Sequence, residues 1–218
     1  MHNTAFLQTA NRLRTKVNHA LCLHDFEWEG HNTFPMNRLF YIFRCTGGWI
    51  RHMDRGSVIN ELELRTNHIY FMPKNAELSF RFEKGTGVVA FHYVLEAFGC
   101  VDLLDGISDC RMAASSDHEI LQVQELMDHT GSPRDILMLQ ALLLKHSSTF
   151  MNKDEGRLPE LLFLGERYKL IFEQIEKRPD AQLTINDLAQ AAGISRDMLS
   201  KNFRRDFGLP LKTFLQRR

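Results

Sequence analysis

Two helix-starting signals, Thr184 and Ser195 in the stretch "TINDLAQAAGISRDMLSKNFRRDFG", constrain what this chain can fold into more than any other feature. Thr184 is followed three residues later by Asp187, a capping box with Asp in the usual Glu position, so a helix begins there. Ile185, Leu188, Ala189 and Ala192 then share one face, and Gly193 is the natural point of exit. Ser195 caps the next helix, whose Leu199 and Phe203 turn inward while Asp197, Ser200, Lys201, Arg204 and Arg205 point away. Two short helices joined by a turn of three to four residues containing Gly make a helix-turn-helix, whose second helix presents its polar face to a DNA major groove.

A capped helix pair is also common in all-helical cores, and three further observations favour the DNA reading. The outward face is basic: Arg196 to Arg218 holds seven Lys and Arg against Asp197 and Asp206. A preceding amphipathic helix, about 160–177, completes a three-helix module. The rest of the chain differs in kind, since residues 160–218 carry eleven Lys and Arg against eight Asp and Glu, whereas residues 1–159 carry 16 against 19 and all ten histidines. An acidic upstream module and a basic tail suggest separate duties.

The upstream part reads as antiparallel β structure. "LFYIFR", "WIRHM", "SVINELEL", "IYFMP", "LSFRFE" and "VVAFHYVL" are strand candidates between Leu39 and Leu95, separated by turn-forming "TGG", "DRG", "PKN" and "KGTG". Leu78, Phe80 and Phe82 alternate with Ser79, Arg81 and Glu83, the period of a half-buried strand. Six or more such strands predict a sandwich or jelly roll. After Ser116 the pattern turns helical. The expected organisation is a β domain over 1–116, interaction helices over 117–152, a polar linker over 153–159 and the helical module over 160–218.

The 218 residues include 44% apolar and 25% charged side chains, ordinary for a globular protein. The longest apolar run, Ile136 to Leu144, is broken by Gln140 and is too short to span a bilayer. The start of the chain has no secretory signal pattern, so a cytoplasmic protein is expected. Cys22, Cys45, Cys100 and Cys110 form no CxxC pair, which fits reduced thiols better than a disulfide or zinc framework.

Residues 183–217, "LTINDLAQAAGISRDMLSKNFRRDFGLPLKTFLQR", resemble the first helix-turn-helix of the AraC/XylS-type bacterial transcription regulators. The "IYFMP" strand series is similar to the cupin-type effector domain of many such regulators. The resemblance implies base contacts from Arg196, Asp197, Ser200 and Lys201, with Arg204 and Arg205 nearer the phosphates. Phosphate contacts supply affinity and register, and base contacts supply sequence choice. Asn202 stands where the family has an apolar residue, and "GLPL" replaces a usual Gly-x-Ser-Pro. The family continues through a linking helix into a second helix-turn-helix, so a chain stopping at Arg218 is expected to hold half of that DNA-binding domain. The linking helix from about Pro210 would then fray or rest on a neighbouring surface.

Polar and aromatic residues on the strands nominate an effector site: Arg38, Arg44 and His92, with Trp28 and Trp49 as stacking surfaces. A sugar is one effector class such a pocket would suit. The alternative is a cupin-like metal-dependent enzyme or binding protein whose helical tail only packs. Such enzymes use a closely spaced His pair, a Glu and a later His. "RLFYIFRCTGG" lacks His-x-His, and a lone His92 in an apolar strand is more often a core residue than a ligand. No cofactor, metal or catalytic constellation is expected. The helix Glu119 to His129, through Leu121, Leu126 and Met127, is expected to pair with its copy in a homodimer that presents two DNA-binding domains to two half-sites. The expected fold is therefore α+β: an N-terminal antiparallel, cupin-like jelly roll, then helices, then an all-α helix-turn-helix module.

Overall fold

A computed structural model describes residues 7, 9–128, 131–152, 158–178 and 183–216. Most of the linker 153–159, the His129 end of the interaction helix, and Arg217 and Arg218 lie outside them. The order is β1 Leu13–Thr33, β2 Asn37–Arg44, β3 Gly48–Asp54, β4 Ser57–Glu63, β5 His68–Met72, β6 Glu77–Ala97, β7 Val101–Asp102 and β8 Arg111–Ala114, then α1 Asp117–Asp128, α2 Pro133–Thr149, α3 Leu158–Arg167, α4 Lys169–Lys177, α5 Ile185–Ala191, α6 Arg196–Phe207 and α7 Leu211–Gln216. The fold is α+β, with an antiparallel sheet preceding the helices. None of the described helices is long and apolar enough to cross a membrane. Among the described residues the four cysteines form no disulfide.

The chain divides into two compact units. The sheet unit comprises residues 15–94 and 104–156. Its strands run in the order β4-β3-β6-β2-β5-β8, and β1 also joins β6. β6 is the central piece, because its first half pairs with β3 and its second half with β2. "KGTG" was expected to separate two strands, yet β6 continues through it. Gly85, at φ 92°, turns the chain while the strand changes partners. At Gly87 an added Cβ would run into the Phe43 ring, so a side chain there would require that ring to move.

Turn chemistry elsewhere follows the sequence. Arg55 and Gly56 have φ of 50° and 82° and connect Asp54 to its partner Ser57, the two positive angles of a two-residue hairpin whose twist matches the strands. Alternation also holds, with Leu78, Phe80 and Phe82 buried beside Ile42, Ile50 and Tyr70 in the inner core. α2 starts with a capping box at Ser132 and Asp135 and a proline in its first turn. It lies on the other face of β2 and β6, where Tyr41 Oη meets His146 Nδ1 at 2.6 Å and Tyr93 Oη meets Ser147 Oγ at 2.7 Å.

The helical unit comprises residues 1–14, 95–103 and 157–218. The expected helix over 160–177 is broken at Tyr168 into α3 and α4. Leu161, Leu164, Ile171, Phe172, Leu188, Leu199, Phe203 and Phe207 form its core. Phe98 belongs to this core as well, stacked on Phe172 with ring centroids 4.8 Å apart. Phe98 holds φ 56°, a conformation uncommon for a bulky residue, which the surrounding packing has to sustain. α7 rests on the same core: Leu211 and Phe214 are buried, with Phe214 5.3 Å from Phe203.

Candidate effector cavity and basic helix face

The inner face of the sheet encloses a cavity of about 310 Å³. β2 contributes Arg38 and Phe40, and β6 contributes Val88, Ala90 and His92. Arg38 and His92 are direct cross-strand partners, as are Phe40 and Ala90, so the two-residue period sends them to one side together. Phe80 and Phe82, from the first half of β6, add further apolar wall, and β1 completes it with Leu21, Leu23, Phe26, Trp28 and Asn32.

Arg38 is the chemical centre of this cavity. Its side chain is 1% exposed, and only Nη1 finds a partner, donating to Asn32 Oδ1 at 2.6 Å. Nε and Nη2 are buried with no acceptor. The Phe80 and Phe34 rings lie 5.3 and 5.9 Å from the guanidinium carbon and partly compensate its charge. Burial lowers the guanidinium to about 10, and the nearby Cys110 thiol opposes this weakly. Burial in turn pushes Cys110 up to about 12, which leaves it uncharged at neutral pH. His92 is lowered to about 4 by burial, then by Arg38 and His19, so it is neutral, and its Nδ1 is also buried without a partner.

Of the nominated effector residues, the structure brings Arg38, His92 and Trp28 together and leaves Arg44 and Trp49 elsewhere. Ile50 faces the core, so its neighbour Trp49 faces outward and lies 3.8 Å from the Arg51 guanidinium. Arg44 follows a register shift at the end of β2, is exposed, and donates to the carbonyls of His24 and Gly85. Of the wall supplied by β1, the sequence discloses Trp28 but not Leu21, Leu23, Phe26 or Asn32. The cavity-lining residues of β1 change phase between Leu23 and Phe26, which breaks the alternation that would have disclosed a strand.

The second candidate site is the outward face of α6. Ser195 Oγ accepts from the Met198 amide, and Gly208, at φ 73°, closes the helix. Leu199, Phe203 and Phe207 are buried, which leaves Arg196, Asp197, Lys201, Arg204 and Arg205 exposed and Ser200 half-buried. Arg205 is engaged within its own unit: its Nε lies 2.8 Å from Asp206 Oδ1. Asp206 also receives Tyr168 Oη at 2.8 Å and Arg167 Nη1 at 3.1 Å. Burial works against ionisation of Asp206, but hydrogen bonds from Arg205 and Tyr168 and the Arg167 charge hold it below the ordinary range.

On α1, Leu126 is turned into its own chain and is 8% exposed. Leu121 is exposed and Met127 half-buried. Ile136, Leu137 and Leu144 are exposed on α2.

Among the described residues, one group could hold a metal ion: Cys22, His24 and Asp128, with ligand atoms within 4.8 Å of one another. His24 and Asp128 are exposed, and the trio lies outside the cavity lining.

No family model matches the chain, and no curated protein matches it. Among solved structures it is similar to ToxT from Vibrio cholerae with an unsaturated fatty acid bound, at 11% identity and a TM-score of 0.39, over 94% of this chain and 77% of ToxT. It is also similar to the AraC-like transcriptional activator CuxR, at 11% identity and a TM-score of 0.42, over 99% of this chain and 88% of CuxR. A partial likeness to the hydroxypropylphosphonic acid epoxidase of S. wedmorenis covers 38% of this chain and 44% of the enzyme, at 16% identity and a TM-score of 0.26.

Proposed function

We propose that the chain is a ligand-responsive, sequence-specific DNA-binding transcription regulator, with the effector seated in the sheet unit's cavity and α6 entering the major groove. The observation that carries this reading is the face of α6: Arg196, Lys201 and Arg204 stand exposed on a helix that is capped at both ends and anchored by three buried apolar residues. A rigid basic helix of this kind can present side chains to base edges. Arg196, Asp197, Ser200 and Lys201 are assigned to bases and Arg204 to phosphate. Arg205 braces Asp206 through Nε and is assigned, with Arg204, to the phosphates through its other nitrogens. The apolar exposure of Leu121, Ile136 and Leu137 supports a homodimer formed through α1 and α2.

Selection of duplexes bound by the complete protein from a randomised DNA pool, followed by anisotropy titrations, tests the reading. Lys201→Ala should change base preference, whereas Arg204→Ala should weaken all sequences alike and lower the salt slope by about 0.9. An unenriched pool, with both variants binding as the unaltered protein does, would overturn it. In sedimentation, Leu121→Glu combined with Ile136→Glu should halve the mass, and an unchanged dimer mass would reject this seam.

A further inference from the structure

The cavity holds a buried cation with an unused binding edge. Nη1 of Arg38 is fixed by Asn32, and the two nitrogens left over, Nε and Nη2, are the pair whose N–H bonds run parallel along one side of the guanidinium. Two parallel donors at that spacing match the two oxygens of one carboxylate, the bidentate pairing that arginine forms most strongly. Among the described residues, no Asp or Glu lines the cavity to take that role. The adjacent His92 Nδ1 is a third polar atom without a partner, directly across the strand pair. The remaining lining is aromatic and aliphatic, with Phe26, Trp28, Phe34, Phe40, Phe80 and Phe82 as its large members.

We propose that the cavity binds an apolar carboxylic acid, with its carboxylate on the Nε and Nη2 edge of Arg38 and its hydrocarbon or aromatic body among the phenylalanines. A sugar, the effector class suggested by the sequence, fits this lining poorly. Among the described residues its several hydroxyls would face only Asn32, Arg38, His92 and the Trp28 indole N–H, and buried hydroxyls without partners are costly. The charge of the acid would neutralise the arginine, while its body displaces water from an apolar surface.

This inference rests on reading the cavity as the effector seat, and the experiment separates the two. Melting temperature and calorimetric titration of the full chain are measured with decanoate and 2-naphthoate, and with decanol and methyl decanoate as uncharged controls. At least one acid should raise the melting temperature and bind at least tenfold more tightly than both controls. Arg38→Met should abolish that difference with circular dichroism unchanged. Arg38→Lys, which keeps the charge and loses the parallel edge, should weaken the acid about tenfold. Failure of both acids to bind, controls that bind equally, or undiminished binding by Arg38→Met would overturn the proposal. Acid binding that leaves DNA affinity unchanged would instead count against effector control, and the ligand assignment would stand.

Discussion

The two units treat a buried charge in opposite ways. In the helical unit, Asp206 is met by Arg167, Arg205 and Tyr168, so its side chain, 9% exposed, is surrounded by donors. In the sheet unit, Arg38 is more deeply buried and has one acceptor for one of its three nitrogens. Evolution of a stable fold does not require the second arrangement, because a buried unpaired cation opposes folding unless something bound to the native state compensates it. The completed network reads as architecture, and the incomplete one as a place for a partner.

That comparison can be broken by removing each charge. Asp206→Ala leaves two guanidinium groups and a buried phenol without their acceptor, and should cost the helical unit about 2–3 kcal/mol in chemical denaturation. Arg38→Met removes a charge with no counter-ion and replaces it with an apolar chain of similar length. Without ligand its stability should stay within about 1 kcal/mol of the unaltered protein or exceed it. A loss as large as that of Asp206→Ala would mean that Arg38 is structural, and the contrast between the units would disappear.

Acid should separate the units as well. His92 is held at about 4 against an ordinary 6.5, and burial also lowers His146. The unfolded chain therefore takes up protons at these sites before the folded one does. The stabilising contribution of neutral His92 is complete above pH 6.5 and is lost as pH falls from 6.5 toward 4, and that of His146 likewise declines below 6.5. For half-buried His92 this is about 2 kcal/mol after allowance for solvent screening. Residues 157–218 contain no histidine, and lowered Asp206 loses its contribution only as pH falls below 3.8. Thermal unfolding followed from pH 7 to pH 4 should weaken the sheet unit first, and His92→Asn should flatten that slope. Parallel weakening of both units over this range would refute the assignment.

The same asymmetry explains what could be read from sequence. Helix caps and turns were legible because each is decided within four residues: Thr184 with Asp187, Ser195 before its helix, and Asp54 to Gly56 between two strands. The inward face of Leu78, Phe80 and Phe82 was legible because its period is unbroken. The cavity was legible in part, through Arg38, His92 and Trp28, which are polar or very large residues on apolar strands. Phe26 and Asn32 are not legible, since β1 carries few apolar residues and its alternation changes phase. Nor does local pattern disclose which side of α1 is covered, since tertiary packing decides that Leu126 is buried and Leu121 exposed. The continuity of β6 through "KGTG" was equally hidden, because glycines that permit a turn also permit a bent strand.

The smallest effect gives the sharpest test of whether the two units are separate cooperative bodies. Both contain the same device: Ser132 with Asp135 begins α2, and Thr184 with Asp187 begins α5, each a complete capping box with Asp in the third position. In both, the hydroxyl oxygen accepts an amide N–H and the carboxylate accepts the amide of the cap residue, so the local chemistry is matched. Ser132→Ala and Thr184→Ala should therefore each cost about 1 kcal/mol. If the units unfold independently, Ser132→Ala lowers only the transition reported by the Trp28 and Trp49 fluorescence of the sheet unit. Thr184→Ala should leave that signal in place and lower the midpoint of the helical ellipticity, because both tryptophans lie outside the helical unit. Identical shifts of both signals in both variants would show one cooperative body, in which a ligand in the sheet unit stabilises α6 directly through shared unfolding.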